Sequence, residues 1–186
     1  MSRGETLPQP AASLTRRARA IAWLVLDVDG VLTDGRLWFT ESGETLKAFD
    51  VRDGLGIQLL AAGGVEVAVL SSRASEIVRR RAEEIGIREI VQGAADKGAA
   101  FDALLARRGL AAREVAYVGD DLLDLPVFAR CGLSFAPADA VADVRRRADV
   151  RLAARGGRGA VREAAERLLR ARGSWSGIVA RFGAAR

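Results

Sequence analysis

Apolar residues along this chain come in short bursts separated by polar or Gly-rich breaks. The first, residues 21–27, is a continuous run of β-favouring side chains that stops at an aspartate. A run without polar alternation is the pattern of a strand buried on both faces, as in a parallel sheet. Similar runs recur at residues 65–70, 89–91, 115–118, 133–135 and 150–152. Between them the spacing becomes helical, over residues 54–62, 75–85, 97–108, 123–130, 140–147 and 159–172. Strand and helix in regular alternation predict an α/β fold, a doubly wound (Rossmann-like) parallel sheet of about six strands with right-handed crossovers.

One segment interrupts the alternation. Residues 36–40 and 45–49 are short β-like stretches around Glu41-Ser42-Gly43-Glu44. A Gly in a four-residue polar connection predicts a β-hairpin directly after the first strand. The expected organisation is a floppy leader over residues 1–19, one domain over 20–172 with a hairpin flap at 31–50, and a tail over 173–186. The tail carries Trp175 and Phe182 among small residues. Docking on the body, docking on another subunit and disorder are all open for it. No inserted stretch is long enough for a separate cap domain.

Composition narrows the chemistry. The chain has 186 residues, nearly half of them apolar, which suits one domain with a real core. No run reaches the roughly 18–20 apolar residues that cross a bilayer, and the first twenty residues lack the apolar core of a signal peptide. The expected compartment is the cytoplasm, with no membrane partner. Net charge is +5, carried by Arg scattered along the predicted helices. A solvated helix face accounts for it first and an anionic small substrate second. Nucleic acid is not expected, because aromatics are only 5% and no basic run interleaves with them. The single cysteine, Cys131, cannot form an internal disulfide and is expected as core filler. Histidine is absent, which removes His triads, His metal clusters and phosphohistidine.

In open α/β sheets, ligands bind beyond the carboxyl ends of the strands. The first strand ends in Asp27-Val28-Asp29-Gly30, the second long run in Ser71-Ser72-Arg73, and the fourth in Gly119-Asp120-Asp121, with Asp124 one turn on. Asp96-Lys97 opens the helix after the third. Carboxylates gathered at one rim repel one another and require a divalent cation or raised pKa values. With only oxygen donors on offer, the cation expected is hard, Mg²⁺ first, which points to phosphoryl chemistry. In the Asp27-x-Asp29 pair, one carboxylate can attack phosphorus while the other gives and takes the proton. Lys97 can neutralise charge on the transferring group, and Ser71 can hydrogen-bond a phosphoryl oxygen. Each piece alone is ordinary: a solvated turn, a helix cap or a surface lysine. Four in order, each after its own strand, make the signal.

With DVDGVLTDG, the Ser71 loop, Lys97 and GDDLLD in sequence, the chain resembles the haloacid dehalogenase superfamily over roughly residues 20–172. Within it, the stretches VRDGLGI, AYVGDDLLDLPVF and GGRGAVRE resemble the capless phosphatases of 3-deoxy-D-manno-octulosonate 8-phosphate, a step of lipopolysaccharide sugar synthesis. The resemblance implies Asp27 as nucleophile and Mg²⁺ ligand, and Asp29 as acid–base and ligand through its backbone carbonyl. It implies Asp120 as third ligand, with Asp121 and Asp124 in support. Asp29, Asp50, Val51, Arg52, Asp53, Gly54, Arg73, Arg81 and Lys97 are implied to meet the sugar phosphate. Ser72 and Asp50 depart from the family pattern, where Gly and His are frequent. A nine-carbon sugar phosphate of the N-acylneuraminate type is the alternative substrate. Arg73 and Glu84 stand where relatives acting on it carry Glu and Lys, which favours the eight-carbon sugar. A non-catalytic oligomerisation module is the other alternative. Without a cap, a neighbouring subunit is the expected lid, and the resemblance implies a homotetramer with its hairpins at the interface.

Overall fold

The structure, a computed structural model, describes residues 11–183. Its strands are β1 (Trp23–Leu26), β2 (Trp38–Thr40), β3 (Gly43–Leu46), β4 (Glu66–Leu70), β5 (Glu89–Val91), β6 (Val115–Val118), β7 (Leu133–Ala136) and β8 (Val150–Arg151). Its helices are α1 (Ala11–Ala20), α2 (Val51–Ala62), α3 (Glu76–Glu84), α4 (Lys97–Arg108), α5 (Leu125–Phe128), α6 (Ala142–Arg147), α7 (Ala160–Ala171) and α8 (Trp175–Gly183). Six strands form one parallel sheet in the order β5-β4-β1-β6-β7-β8, and β2 and β3 pair as a separate antiparallel hairpin. The expected fold class is the one observed.

Strand residues alternate between two cores. Leu24, Leu26, Val67, Val69, Ala116 and Val118 face a layer built from α2, α3 and α7. Trp23, Val25, Ala68, Leu70, Val115 and Tyr117 face α4 and α5 on the other side. Both faces are covered, which is why these strands read as unbroken apolar runs. Cys131 packs beside the second core, where burial pushes its thiol up to about 12.

Two expectations need correction, and the open question of the tail has an answer. The leader is not floppy throughout: α1 docks on the body, with Ala18 buried. Arg17 donates to Asp149 at 2.7 and 2.8 Å and to the Gly132 carbonyl at 2.8 Å. The first ten residues of the expected leader lie outside the described residues. The tail is helical over α8, with Ile178 buried against the core and Trp175 flanked by the guanidinium groups of Arg162 and Arg170. The helix expected over 123–130 is a 3₁₀ turn, Leu122–Asp124, followed by the single turn α5. The side chain of Asp124 accepts backbone N–H groups just upstream, which tightens this segment into a turn.

The hairpin follows β1 and carries exposed apolar side chains: Trp38, Phe39 and Leu46 are each more than half exposed. Among the described residues, no helix is long and apolar enough to cross a membrane.

Candidate active site

β1 and β6 are neighbours, and the chain leaves both at the same rim. Asp27 follows β1 directly, its N–H donating to the Val118 carbonyl at 3.0 Å. Gly119 and Asp120 follow β6. Two glycines make the approach possible. A Cβ on Gly119 would lie 2.5 Å from the Asp124 side chain. Gly30, at φ +88°, would place a Cβ 2.0 Å from an Asp120 carboxylate oxygen, so conformation and space both demand glycine there.

Asp27, Asp120 and Asp124 each bring one carboxylate oxygen into a group whose members lie within 4.8 Å of one another. Lys97, at the first turn of α4, is buried and places its Nζ 2.8 Å from Asp27 Oδ1 and 2.6 Å from Asp124 Oδ1. Tyr117 Oη donates to Asp124 Oδ1 at 2.8 Å, while Asp124 Oδ2 accepts from the N–H groups of Asp120 (2.8 Å) and Asp121 (3.1 Å). Both oxygens of Asp124 are therefore committed, and this carboxylate orders the loop as well as the lysine. Asp120 is the opposite case: its Oδ1 is buried with no partner. Asp121 is exposed and caps Leu122 at 2.7 Å, outside the three-carboxylate group.

Electrostatics follow from this geometry. Burial, then the charge of Asp124, pushes Asp27 up to about 6 against the pull of Lys97. Burial, then Asp27 and Asp124, pushes Asp120 up to about 8. Burial alone would lower Lys97, but Asp27 and Asp124 outweigh it and hold the ammonium above its ordinary value. Two buried carboxylates and the half-buried Asp120 face one lysine, and the surplus negative charge and the orphaned Asp120 oxygen both call for a cation. The donors are oxygens only, which fits a hard divalent ion.

Asp29 stands apart from this group. Its Oδ1 accepts from Lys47 Nζ and, at 3.4 Å, from Thr33 Oγ1. Arg73 Nε lies 3.4 Å from its Oδ2. Ser71 is buried at the end of β4, with Oγ accepting from the Arg73 N–H at 3.3 Å. Ser72 keeps an ordinary φ, since among the described residues every positive φ belongs to glycine, so the loop closes without the glycine frequent there.

The remaining residues expected at the sugar phosphate cluster at the start of α2. Asp50 caps that helix and pairs with Arg52 at 2.6 Å, and the Arg52 side chain holds its carboxyl below the usual range. Val51 is largely exposed. Asp53 turns inward instead: almost fully buried, it accepts from the N–H groups of Gly159 (3.2 Å) and Arg162 (2.7 Å) at the start of α7. Both of its carboxylate oxygens tie α2 to α7, and burial raises it to about 6. Gly54 leaves room for Arg81, whose Nη2 would lie 2.8 Å from a Cβ there, and both line a small cleft with Phe49 and Asp50.

The GGRG stretch packs beneath the Asp27 loop. Gly157 donates its N–H to the Val31 carbonyl at 2.9 Å, and a Cβ on Gly156 would fall 1.8 Å from the Gly30 oxygen. Sequence reading did not single out Lys47, Glu44 or Tyr117. Tyr117 left one signal, a hydroxyl in an otherwise aliphatic buried strand, which must find a partner. Lys47 left little locally: Glu44 stands three residues before it, but Asp29 is brought to it by the fold.

A family model for haloacid dehalogenase-like hydrolases matches residues 61–156. The chain is 45% identical over 163 residues to the 3-deoxy-D-manno-octulosonate 8-phosphate phosphatase KdsC of Haemophilus influenzae, covering 88% of this chain and 91% of that one. A cobalt-bound structure of the deoxy-D-mannose-octulosonate 8-phosphate phosphatase YrbI of Haemophilus influenzae superposes with a TM-score of 0.84 at 46% identity, over 86% of this chain and 94% of that one. The 3-deoxy-D-manno-octulosonate 8-phosphate phosphatase of Moraxella catarrhalis, solved with a magnesium ion, a phosphate ion and a KDO molecule, superposes with a TM-score of 0.89 at 37% identity, over 93% of this chain and 99% of that one.

Proposed function

The chain belongs to the haloacid dehalogenase-like hydrolases, and from that premise we propose that it is a Mg²⁺-dependent phosphomonoesterase that hydrolyses 3-deoxy-D-manno-octulosonate 8-phosphate through an aspartyl-phosphate on Asp27. One observation carries the reading: Lys97 bridges Asp27 and Asp124 beside the buried, partnerless oxygen of Asp120. Asp27, Asp120 and the backbone carbonyl of Asp29 would hold the ion, with Asp124 keeping the loop in place. Bound there, Mg²⁺ would reduce the repulsion between an anionic nucleophile and an anionic phosphate and draw charge from the phosphoryl oxygens.

The chain's own groups do the rest. An oxygen of Asp27 forms a bond to phosphorus as the bond to the sugar oxygen breaks. Asp29 gives its proton to that departing oxygen, so the sugar leaves with a hydroxyl and not an alkoxide. Lys97 fixes the nucleophile's carboxylate and offsets charge on the transferring group, and the Ser71 hydroxyl donates to one of its oxygens. Water then attacks the aspartyl-phosphate, Asp29 takes the proton back, and Asp27 is released with inorganic phosphate. Arg73, beside Asp29 and 43% exposed, is suited to the sugar's carboxylate, which a guanidinium grips with two hydrogen bonds.

The lid, in this reading, is another copy of the chain. The open hairpin with exposed Trp38, Phe39 and Leu46 supports a homotetramer whose hairpins meet. The enzyme would act in the cytoplasm, in lipopolysaccharide sugar synthesis. The test is phosphate release from the eight-carbon substrate, from N-acylneuraminate 9-phosphate and from p-nitrophenyl phosphate, with and without Mg²⁺. Preference for the first, dependence on Mg²⁺ and silence of Asp27→Asn are expected. A wild type inert on all three esters would overturn the assignment in favour of a non-catalytic module.

A further inference from the structure

Two lysines are buried at this rim, and the mechanism above uses only Lys97. The other, Lys47, lies one residue beyond β3 with a side chain that is 0% exposed. A buried ammonium persists only where carboxylates pair with it. Lys47 has two such partners: its Nζ donates to Asp29 Oδ1 and lies 3.2 Å from Glu44 Oε1. Glu44 is anchored in turn, because its Oε2 accepts from the hydroxyl of Ser75, the N-cap of α3. A polar chain thus runs from the start of α3 through the hairpin to Asp29. Arg73 also meets Asp29 and Glu44, but at 3.4 and 3.5 Å and with a side chain 43% exposed. Arg73 is open to an incoming ligand, whereas Lys47 is sealed behind Asp29.

Resting on the phosphatase reading, we propose that Lys47 is the positioning residue for the proton-transferring carboxylate. By tying Oδ1 of Asp29, it leaves Oδ2 as the oxygen that delivers and recovers the proton. The two lysines then divide the work: Lys97 orders the attacking carboxylate and Lys47 the one that serves the leaving group. Glu44 and Ser75 hold Lys47 in turn, so the hairpin's position is transmitted to the chemistry.

Leaving groups of different basicity separate this role from a purely structural one. A sugar alkoxide needs a proton as it departs, whereas p-nitrophenolate does not. Lys47→Met should lower kcat on the sugar phosphate by about 100-fold, the low end of what a general acid contributes. On the aryl ester the first step should survive. Stopped-flow traces should show a burst of nitrophenolate equal to the enzyme present, then slow turnover because the water step lacks its base. Adding Lys47→Met to Asp29→Asn should cost little further, since both act through one carboxylate. Glu44→Gln keeps the lysine and loosens its anchor; it should show the same bias toward the aryl ester in milder form, which preserves the test if Lys47→Met folds poorly. An equal fall on both esters without a burst, or no fall, would overturn the inference while leaving the phosphatase reading intact. A wild type inert on both esters would sink the phosphatase reading, and this inference with it.

Discussion

Asp120→Asn should make the metal-free protein more stable at alkaline pH while removing its response to Mg²⁺. In EDTA the Asp120 carboxyl sits at about 8, raised by burial and by Asp27 and Asp124, against 3.8 in the unfolded chain. A group raised in the folded state adds stability below its unfolded pKa and loses that contribution as pH climbs through the folded value. The wild type should therefore weaken steadily between about pH 4 and pH 8. At 1.36 kcal/mol per unit, the full span is worth on the order of 5 kcal/mol. Asparagine avoids ionisation but leaves a buried amide short of partners, at a cost of about 1–3 kcal/mol. The net gain at pH 9 should be about 2–4 kcal/mol, or about 5–15 °C in Tm for a domain of this size. Near pH 4, where the wild type carries no ionisation penalty, the gain should turn into a loss of about 1–3 kcal/mol. The variant should keep a shallower slope from Asp27, which sits at about 6. Mg²⁺ at a hundred times its Kd should stabilise the wild type by about 2.7 kcal/mol and the variant by little. Calorimetry at pH 4, 7 and 9, with EDTA or Mg²⁺, reads all of this. An Asp120→Asn variant that melts below the wild type at pH 9 in EDTA, or keeps the full Mg²⁺ shift, would refute the reasoning.

Two further outcomes follow from the same geometry. Tyr117→Phe removes one donor from Asp124 Oδ1 but leaves Lys97 on it; urea unfolding should show a loss of about 1.5–2 kcal/mol, with activity reduced several-fold and not abolished. Gly156→Ala forces a Cβ onto the Gly30 carbonyl; it should cost about 1–3 kcal/mol in the same assay and lower kcat more than tenfold, because the loop that must move holds Asp27 and Asp29.

Much of the architecture was readable because the sheet is buried on both faces: the strand runs have no polar interruption, and α4 spans the residues, 97–108, where helical spacing was expected. The carboxylate rim was readable for a related reason, since each strand hands its chemistry to the residue just past its end. What escaped was held by partners far along the chain. α1 has little apolar stripe of its own, and it is fixed by Arg17 reaching Asp149 and Gly132. Asp53 looked like a rim residue beside Asp50, yet helical periodicity turns it inward to α7. Lys47 sits in a stretch expected as a hairpin strand, where a lone lysine reads as solvated, and only tertiary structure brings Asp29 to it.

The glycine contact beneath the Asp27 loop also bears on how the protein is made. Synthesis delivers Asp27 well before Gly156, so at about 5–20 residues per second the loop waits roughly 6–25 s for its support. While the ribosome still holds the later part of the chain, the nascent polypeptide has its reactive carboxylate but not the floor under it. Competence to react thus waits on residue 156, and a message cut short before it yields a product with the aspartates present and no fixed geometry to use them.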